Sequence, residues 1–466
     1  MPDILNLRPV ANALASRLPV AIIGLRNRIF TRINGEEGIP IPGERVDVSH
    51  FKELYSNPAA DGRSEGAALS DLFWYWLSPG AEIHQEHLEP GERYEEVAQT
   101  TRRILSLPKK TAEELAARCT VRVLEERAIH RATLVRLRDL MMPIWAEFYY
   151  ELVFNEQCPR EARDLIVGNA NDVVTALKGL SLRHMDRRLR LTRYLKARLE
   201  AGAVAHELPS CLSLEQKAFY LQGVYFNTAV VQMSEAMAHL VMFLAQNQEI
   251  QARLADNLED DRYLDRIITE SLRLYPLFGI AHRITSSDIR VDDKTTLPKG
   301  SVLCFNYQAY HHEGFEDPLR FDPDRWLKHS TKESNYMPFG AAANRPCPAQ
   351  AIALVTMRAV ARETIRRFSV FSTASHTRPL PNRGPCVLEP RKGNPEPRLR
   401  EELLASMSAR EPWEEVGRSV LQLVLGTYMV LDAKRLRLCQ RYFEAERQTS
   451  ASTAGAKASR CPFSPT

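Results

Sequence analysis

Between Leu214 and Leu254 the chain carries a single glycine, Gly223, and no proline, and its centre, GVYFNTAVVQMSEAMAHLVMFL, has few charges. Such a stretch predicts one long helix. A helix this apolar on most of its sides must be buried in the middle of a domain, so the rest of the fold has to be arranged around it. The preceding region, from about residue 94, shows the same helical spacing of apolar residues, as in RDLMMPIWAEFYYELVF at 138–154.

After the long helix the pattern changes. IRVDD and SVLCFNY, separated by TTLPKG, predict a small strand pair, and proline-rich loops continue to residue 348. A helix then runs from Ala349 to about Phe368. The turn-rich NPEP opens a further segment whose GRSVLQLVLGTYMVL core is helical and apolar. The expected division is 1–395 for the main domain, 396–446 for an extra helical segment and 447–466, rich in Ser, Thr and Ala, for a disordered tail.

The 466 residues are 44% hydrophobic and 26% charged, enough for a large core. The net charge of +4 is spread along the chain, so no nucleic-acid partner is expected. PVAIIGL at 19–25 falls well short of the ~20 apolar residues of a spanning helix. No transmembrane segment is therefore expected, and the location expected is cytoplasmic. The eight cysteines form no C-x-x-C pair and no zinc spacing. Any special cysteine must act alone.

One cysteine has a special setting. In FGAAANRPCPAQ, Cys347 stands between two prolines in front of a helix, where free backbone N–H groups and the helix dipole favour a thiolate, the metal-binding form. Pro348 suits the first helical position, leaving Ala349 and Gln350 to donate toward the sulfur. Alone, such a cysteine is most often a buried structural thiol. Upstream, ESLRLYP puts Glu270 and Arg273 on one helix face, and FDPDRW offers Arg325 as a third partner. His84 and His87 in HQEH read as a solvated turn and receive no role.

Taken in order, ESLR, FDPDRW and the cysteine loop resemble the Glu-x-x-Arg helix, the Phe-x-Pro-x-Arg segment and the ligand loop of the cytochrome P-450 family of haem-thiolate enzymes. The resemblance covers roughly residues 40 to 391. It implies a mainly α fold with small β-sheets, a triangular helical prism around a buried haem b. It also implies Cys347 as the axial iron ligand and a structural cluster of Glu270, Arg273 and Arg325. Arg283 and Arg345 match the usual propionate positions, His282 and Arg102 are weaker cofactor contacts, and Phe339 opens the ligand loop. From PLFGIAH, the family's pocket-lining strand would supply Phe278, Ile280 and Ala281, with Tyr225 and Ala229 across the iron.

Two departures stand out. The ligand loop has one residue more than usual between Phe339 and Cys347, and Ala342 and Ala349 occupy its glycine positions. In addition, the acid–alcohol pair of oxygen-activating relatives is missing. One register puts Val231-Gln232 there, and another puts Asn227-Thr228 one turn earlier; Gln232 and Thr228 are the candidate catalytic groups. Three functions follow. The first is a monooxygenase acting on a small, mostly apolar organic substrate of secondary metabolism. Its electrons would come from a ferredoxin and ferredoxin reductase-type donor docking near Arg358, Arg362, Arg366 and Arg367. The second is a haem-thiolate enzyme without that relay, such as a peroxide-dependent oxygenase, isomerase or dehydratase. The third is a non-enzymatic binder using the C-terminal helices.

Overall fold

The computed structural model describes residues 38–458, with isolated positions (17, 21, 22, 24, 25 and 28) before them. Residues 19, 20 and 23 of PVAIIGL and residues 459–466 therefore lie outside the described residues. The longer helices in chain order are α1 (Ala68–Leu77), α2 (Glu92–Leu105), α3 (Lys109–Glu126), α4 (Leu137–Phe154), α5 (Arg160–Leu177) and α6 (Met185–Glu200). Then come α7 (Leu214–Gly223), α8 (Val230–Gln246), α9 (Gln248–Asp256), α10 (Asp261–Leu274) and α11 (Gln350–Arg367). The C-terminal segment supplies α12 (Pro397–Leu421), α13 (Thr427–Leu436) and α14 (Leu438–Ala458).

The long apolar stretch is the spine of the fold. A capping box between Ser213 and Gln216 starts α7, and a π-helical turn over Val224–Ala229 joins it to α8 without a break. By length and composition this element could cross a membrane, yet 78% of its most apolar window is buried inside the protein. Its core neighbours include Trp145, Phe148 and Tyr149 of α4. The helix is shorter than its apolar spacing suggests. At Asn247 the backbone leaves helical geometry (φ −124°, ψ 80°), and the side-chain amide donates to the Phe243 carbonyl at 2.8 Å. Asparagine competes with the helix for its own backbone groups, so α9 begins anew one residue later.

The strands are β1 (Ile39–Ile41), β2 (Thr133–Arg136), β3 (Ile280–Ile284), β4 (Ile289–Arg290), β5 (Thr296–Leu297), β6 (Val302–Asn306), β7 (Phe368–Phe371) and β8 (Pro385–Pro390). They form sheets β1-β6-β3, β2-β8-β7 and β4-β5. The expected pairing of IRVDD with SVLCFNY is corrected. Thr296–Leu297, within the supposed connector, turns back onto Ile289–Arg290. The apolar β6 instead takes the middle of a sheet, antiparallel to β3 with Ile280 opposite Asn306. That register places His282 and Arg283 on β3.

The C-terminal helices are joined to the main body. Met429, Val430 and Ala433 of α13 share a core with Leu72, Tyr75 and Ala176, and Cys439 packs with Trp74 and Ala81. Tyr75 Oη donates to Asp432 at 2.9 Å, and the Cys439 amide donates to Asp71 Oδ1 at 2.8 Å. The tail expected to be disordered from residue 447 instead continues α14 to Ala458. Its alanines are good helix formers and extend a helix already nucleated by packing.

Candidate haem-thiolate site

The cysteine loop is held by its own backbone. The Cys347 amide donates to the Phe339 carbonyl at 2.8 Å, with Gly340 (φ +75°) and Arg345 (φ +53°) turning the chain between them. A left-handed arginine is an uncommon, strained conformation of the kind that gathers at functional sites. Helix α11 begins at Gln350, so Pro348 lies in the turn before it rather than at its first position. Even so, the amides of Ala349 and Gln350 both face the sulfur. Burial pushes the Cys347 thiol up to about 11 and the Glu86 charge adds to this, while the two amides oppose it. A cation against the sulfur would reverse that balance, because a coordinating thiol is deprotonated. Of the two alanines at glycine positions, Ala342 is exposed and Ala349 half-buried, so the first methyl meets solvent.

Beside the loop lies a concentration of buried positive charge. Arg345 donates to the Leu88 carbonyl at 2.6 Å and stacks on the Tyr94 ring, 3.6 Å from its centroid. Arg283 donates to Tyr55 Oη at 2.6 Å. Arg63 donates to Asn344 Oδ1 at 2.7 Å, and its carbonyl accepts from His282 Nε2 at 2.7 Å. Yet Arg63 Nε and Nη1, Arg283 Nε, Arg345 Nη2 and His87 Nδ1 are all buried without a hydrogen-bond partner. Unsatisfied guanidinium donors inside a protein are costly, and two carboxylates placed there would satisfy them. A sulfur faced by two amides, next to unpartnered arginine nitrogens, fits an iron porphyrin with its propionates.

HQEH is no solvated turn. His84 and His87 are both buried, with ring centroids 5.3 Å apart, and His87 lies 6.3 Å from His282. His84 Nε2 is 2.7 Å from Thr228 Oγ1 on the π turn. Nothing in the sequence singles out Arg63, and His84 and His87 read there as a solvated turn without a role, because no spacing links these residues to the motifs. The orphaned nitrogens of Arg63 and His87 appear only in three dimensions.

On the central helix, Val224, Thr228, Ala229, Val231 and Gln232 are only half-buried, on one face of an otherwise buried helix. That face borders open space. Tyr149 lies within electrostatic reach of Cys347, and its ring is 6.4 Å from Tyr225, so the sulfur and the π turn flank the same ring. Phe278 and Ile280 are 42% and 55% exposed at the start of β3, with Ala281 half-buried after them.

Three readings need correction. Tyr225 is a core residue, fully buried with its hydroxyl 3.1 Å from that of Tyr220, because it points away from the half-buried face. Arg102 is exposed in a surface cleft with Glu96, Arg103 and Glu207, since it sits on the outer side of α2. The arginines of α11 are not a free basic face. Arg358 pairs with Asp261 (2.5 Å), Arg362 with Glu113 (2.8 Å), Arg366 with Glu259 (2.9 Å), and Arg366 and Arg367 both with Glu363.

Behind the loop, Arg273 donates to both oxygens of Glu270, at 2.9 and 2.8 Å, and Arg325 Nε reaches Oε1 at 3.3 Å. Trp326 Nε1 donates to Oε2 at 3.0 Å. Both Glu270 and Arg273 are fully buried, unlike the weak surface pair that their spacing alone suggests. The remaining guanidinium donors of Arg273 and Arg325 hold the carbonyls of Pro318 and Asp317, fixing the loops that lead to Cys347.

A model of the family described as Cytochrome P450 matches residues 223–395, from the central helix through the Glu270 triad and the cysteine loop to the end of the last sheet. Over those residues the chain is similar to the cytochrome P450 family. It is 35% identical over 131 residues to a cyclooctat-9-en-7-ol 5-monooxygenase of Streptomyces melanosporofaciens, covering 27% of either chain. It is 28% identical over 221 residues to cytochrome P450 3A2 of Rattus norvegicus, covering 43% of each. With pentalenene oxygenase of Streptomyces avermitilis it shares 35% identity over 121 residues, 22% of this chain and 27% of that one. The chain thus spans less than half the length of these curated P450 relatives.

Two solved P450 structures share the fold. A six-coordinated cytochrome P450 from Thermus thermophilus superposes with a TM-score of 0.57 at 18% identity, covering 72% of this chain and 91% of its own. A zebra fish cytochrome P450 with abiraterone gives 0.60 at 14%, covering 74% and 92%. The architecture is the P450 fold, and helices α12–α14 lie beyond the segment that the family model matches.

Proposed function

We propose that this protein is a cytochrome P450, a haem-thiolate monooxygenase-type oxidoreductase that binds haem b and oxidises a small, mostly apolar organic molecule of secondary metabolism. Cys347 would ligate the iron, Phe339 and the Ala349 and Gln350 amides would hold the loop and the sulfur charge, and Arg63, Arg283 and Arg345 would take the propionates with His87 and His282 alongside. Bound there, the haem iron supplies the oxidising chemistry, since thiolate donation favours O–O cleavage. The observation that carries the reading is the set of unpartnered arginine nitrogens beside a sulfur faced by two backbone amides.

The chain's own residues would do the rest. Phe278, Ile280, Ala281 and Ala229 offer apolar surface for a substrate without charge. Thr228 and Gln232 are the polar groups of the half-buried face and can hydrogen-bond to whatever sits over the sulfur. Glu270, Arg273 and Arg325 keep the ligand loop rigid from behind. Electrons would come from a ferredoxin and reductase-type donor in the cytoplasm. Because the α11 arginines are already paired, that donor would not find a free basic patch there.

The test is the absorbance of the reduced, carbon monoxide-bound protein. Wild type should show the red-shifted Soret band of thiolate ligation and Cys347→Ala should lose it; a wild type lacking that band overturns the reading. A second reading, turnover with peroxide or substrate alone, is favoured by one observation. Glu235, the nearest carboxylate along the helix from Gln232, is held by Arg138 and Lys178 (3.0 and 2.8 Å) and is not free to act as a relay. Product formed with peroxide but not with dioxygen and an electron donor would establish it.

A further inference from the structure

His84 and Thr228 lie 144 positions apart, yet the fold presses them together. Gly80 makes this possible. It adopts φ +86°, and a Cβ there would sit 2.5 Å from Cβ of Phe219 on α7, so this turn lies directly against the helix. The turn Ala81–Ile83 follows, with Ala81 and Ile83 buried, and delivers His84 to the π turn.

The bonding pattern assigns the ring's proton. The Glu86 amide donates to His84 Nδ1 at 3.3 Å, so in the neutral ring Nδ1 is the acceptor and Nε2 carries the hydrogen. Burial keeps the ring neutral, lowering its pKa to about 4. Nε2–H then donates to Thr228 Oγ1. A hydroxyl that accepts this bond retains its own proton for another partner.

In ordinary helical turns of this protein that proton is already committed. Thr101, Thr120, Thr192, Thr356 and Thr364 each donate to the carbonyl four residues back. Thr228 is different. It sits in a π turn, whose ladder runs five residues, and among the described contacts its hydroxyl is bonded to His84 alone. Its free proton is on the half-buried face of the helix.

We propose that His84 is a positioning residue for oxygen activation: by donating Nε2–H to Thr228 Oγ1, it aims the Thr228 hydroxyl proton at the ligand bound over Cys347, in place of the carboxylate that is missing beside Thr228. The proposal rests on the reading of Thr228 given above. It would make the pair a histidine–alcohol device assembled from a loop and a helix rather than from adjacent residues of one helix.

The test uses the reduced holoprotein with carbon monoxide as the probe, read by its C–O stretching frequency, which falls when a hydroxyl donates to the bound molecule. Thr228→Val should raise the frequency. His84→Ala should raise it similarly, as the freed hydroxyl turns to a backbone carbonyl, and the double variant should match Thr228→Val. His84→Gln retains an N–H donor and should stay near wild type. His84→Phe keeps the ring volume without a donor and should behave as His84→Ala, so it carries the test if the alanine variant does not fold. A shift in Thr228→Val with none in His84→Ala or His84→Phe overturns the positioning role while leaving Thr228 in place. No shift in Thr228→Val, with the thiolate Soret band intact, overturns the reading of Thr228 and the proposal with it.

Discussion

Gly80 and Phe219 are packed so closely that a single methyl group would separate the 81–84 turn from the central helix: a Cβ on Gly80 would lie 2.5 Å from Cβ of Phe219, and the glycine's φ is +86°. Both the space and the backbone angle exclude a side chain. Gly80→Ala should cost about 1–3 kcal/mol, the usual range for a left-handed residue made to carry a Cβ. It should also shift the carbon monoxide stretch as His84→Ala does. Thermal unfolding and that spectrum check the two parts, and a variant as stable as wild type would show that the turn can move off α7 freely.

Acid should destabilise this protein through its buried histidines. Burial lowers the pKa of His84 and His282 to about 4 and of His239 and His311 to about 3. Their unfolded value is near 6.5, so between pH 6.5 and the folded values the unfolded chain binds protons that the native chain refuses. Their stabilisation is present above pH 6.5 and is lost as pH falls toward 4 and then 3. For His84 alone the loss by pH 4 is up to about 3 kcal/mol. Urea unfolding at stepped pH should therefore show a shallower acid decline in His84→Gln than in wild type; equal slopes would mean that His84 charges without cost.

The Glu270 triad gives a stability prediction independent of the haem. Glu270 and Arg273 are fully buried and joined by two hydrogen bonds. Arg273→Ala leaves a buried carboxylate short of its main partner and should cost about 3–5 kcal/mol. Arg273→Lys should recover only part of this, because a lysine cannot reproduce the two-pronged geometry. Guanidinium unfolding of the three proteins measures it, and a lysine variant equal to wild type would argue against the bidentate contact.

The parts of this structure that were legible in the sequence are those written locally. The central helix shows in its apolar run, and the cysteine loop and the Glu270–Arg273 pair show in short motifs of fixed spacing. What stayed hidden depends on partners far along the chain. HQEH carries no apolar periodicity, and its burial comes from Thr228, Gly80 and β3, while the need for an anion near Arg63 is visible only once Arg283 and Arg345 converge on it. The α11 arginines looked like a free basic face because Asp261, Glu259 and Glu113, which neutralise them, belong to other helices or the loops between them. The end of the long helix was missed for a local reason: Asn247 caps it, its backbone N–H and its side-chain amide both donating to the Phe243 carbonyl while its own backbone turns out of helical geometry.

The C-terminal helices should matter to the site although they lie far from Cys347 in sequence. Met429 is fully buried against Leu72, Tyr75 and Ala176, and Cys439 closes the other end of α1 with Trp74 and Ala81. Helix α1 leads within a few residues into Gly80 and His84, and Arg188 also grips that junction through the carbonyls of Trp76 and Ser78. Met429→Ala should therefore cost about 2–5 kcal/mol, as a large-to-small change in a closed core. If α13 and α14 act as a brace for the His84 turn, hydrogen exchange in Met429→Ala should speed up across residues 78–90 as well as across α13. Faster exchange confined to α13 would show that the brace stops at α1.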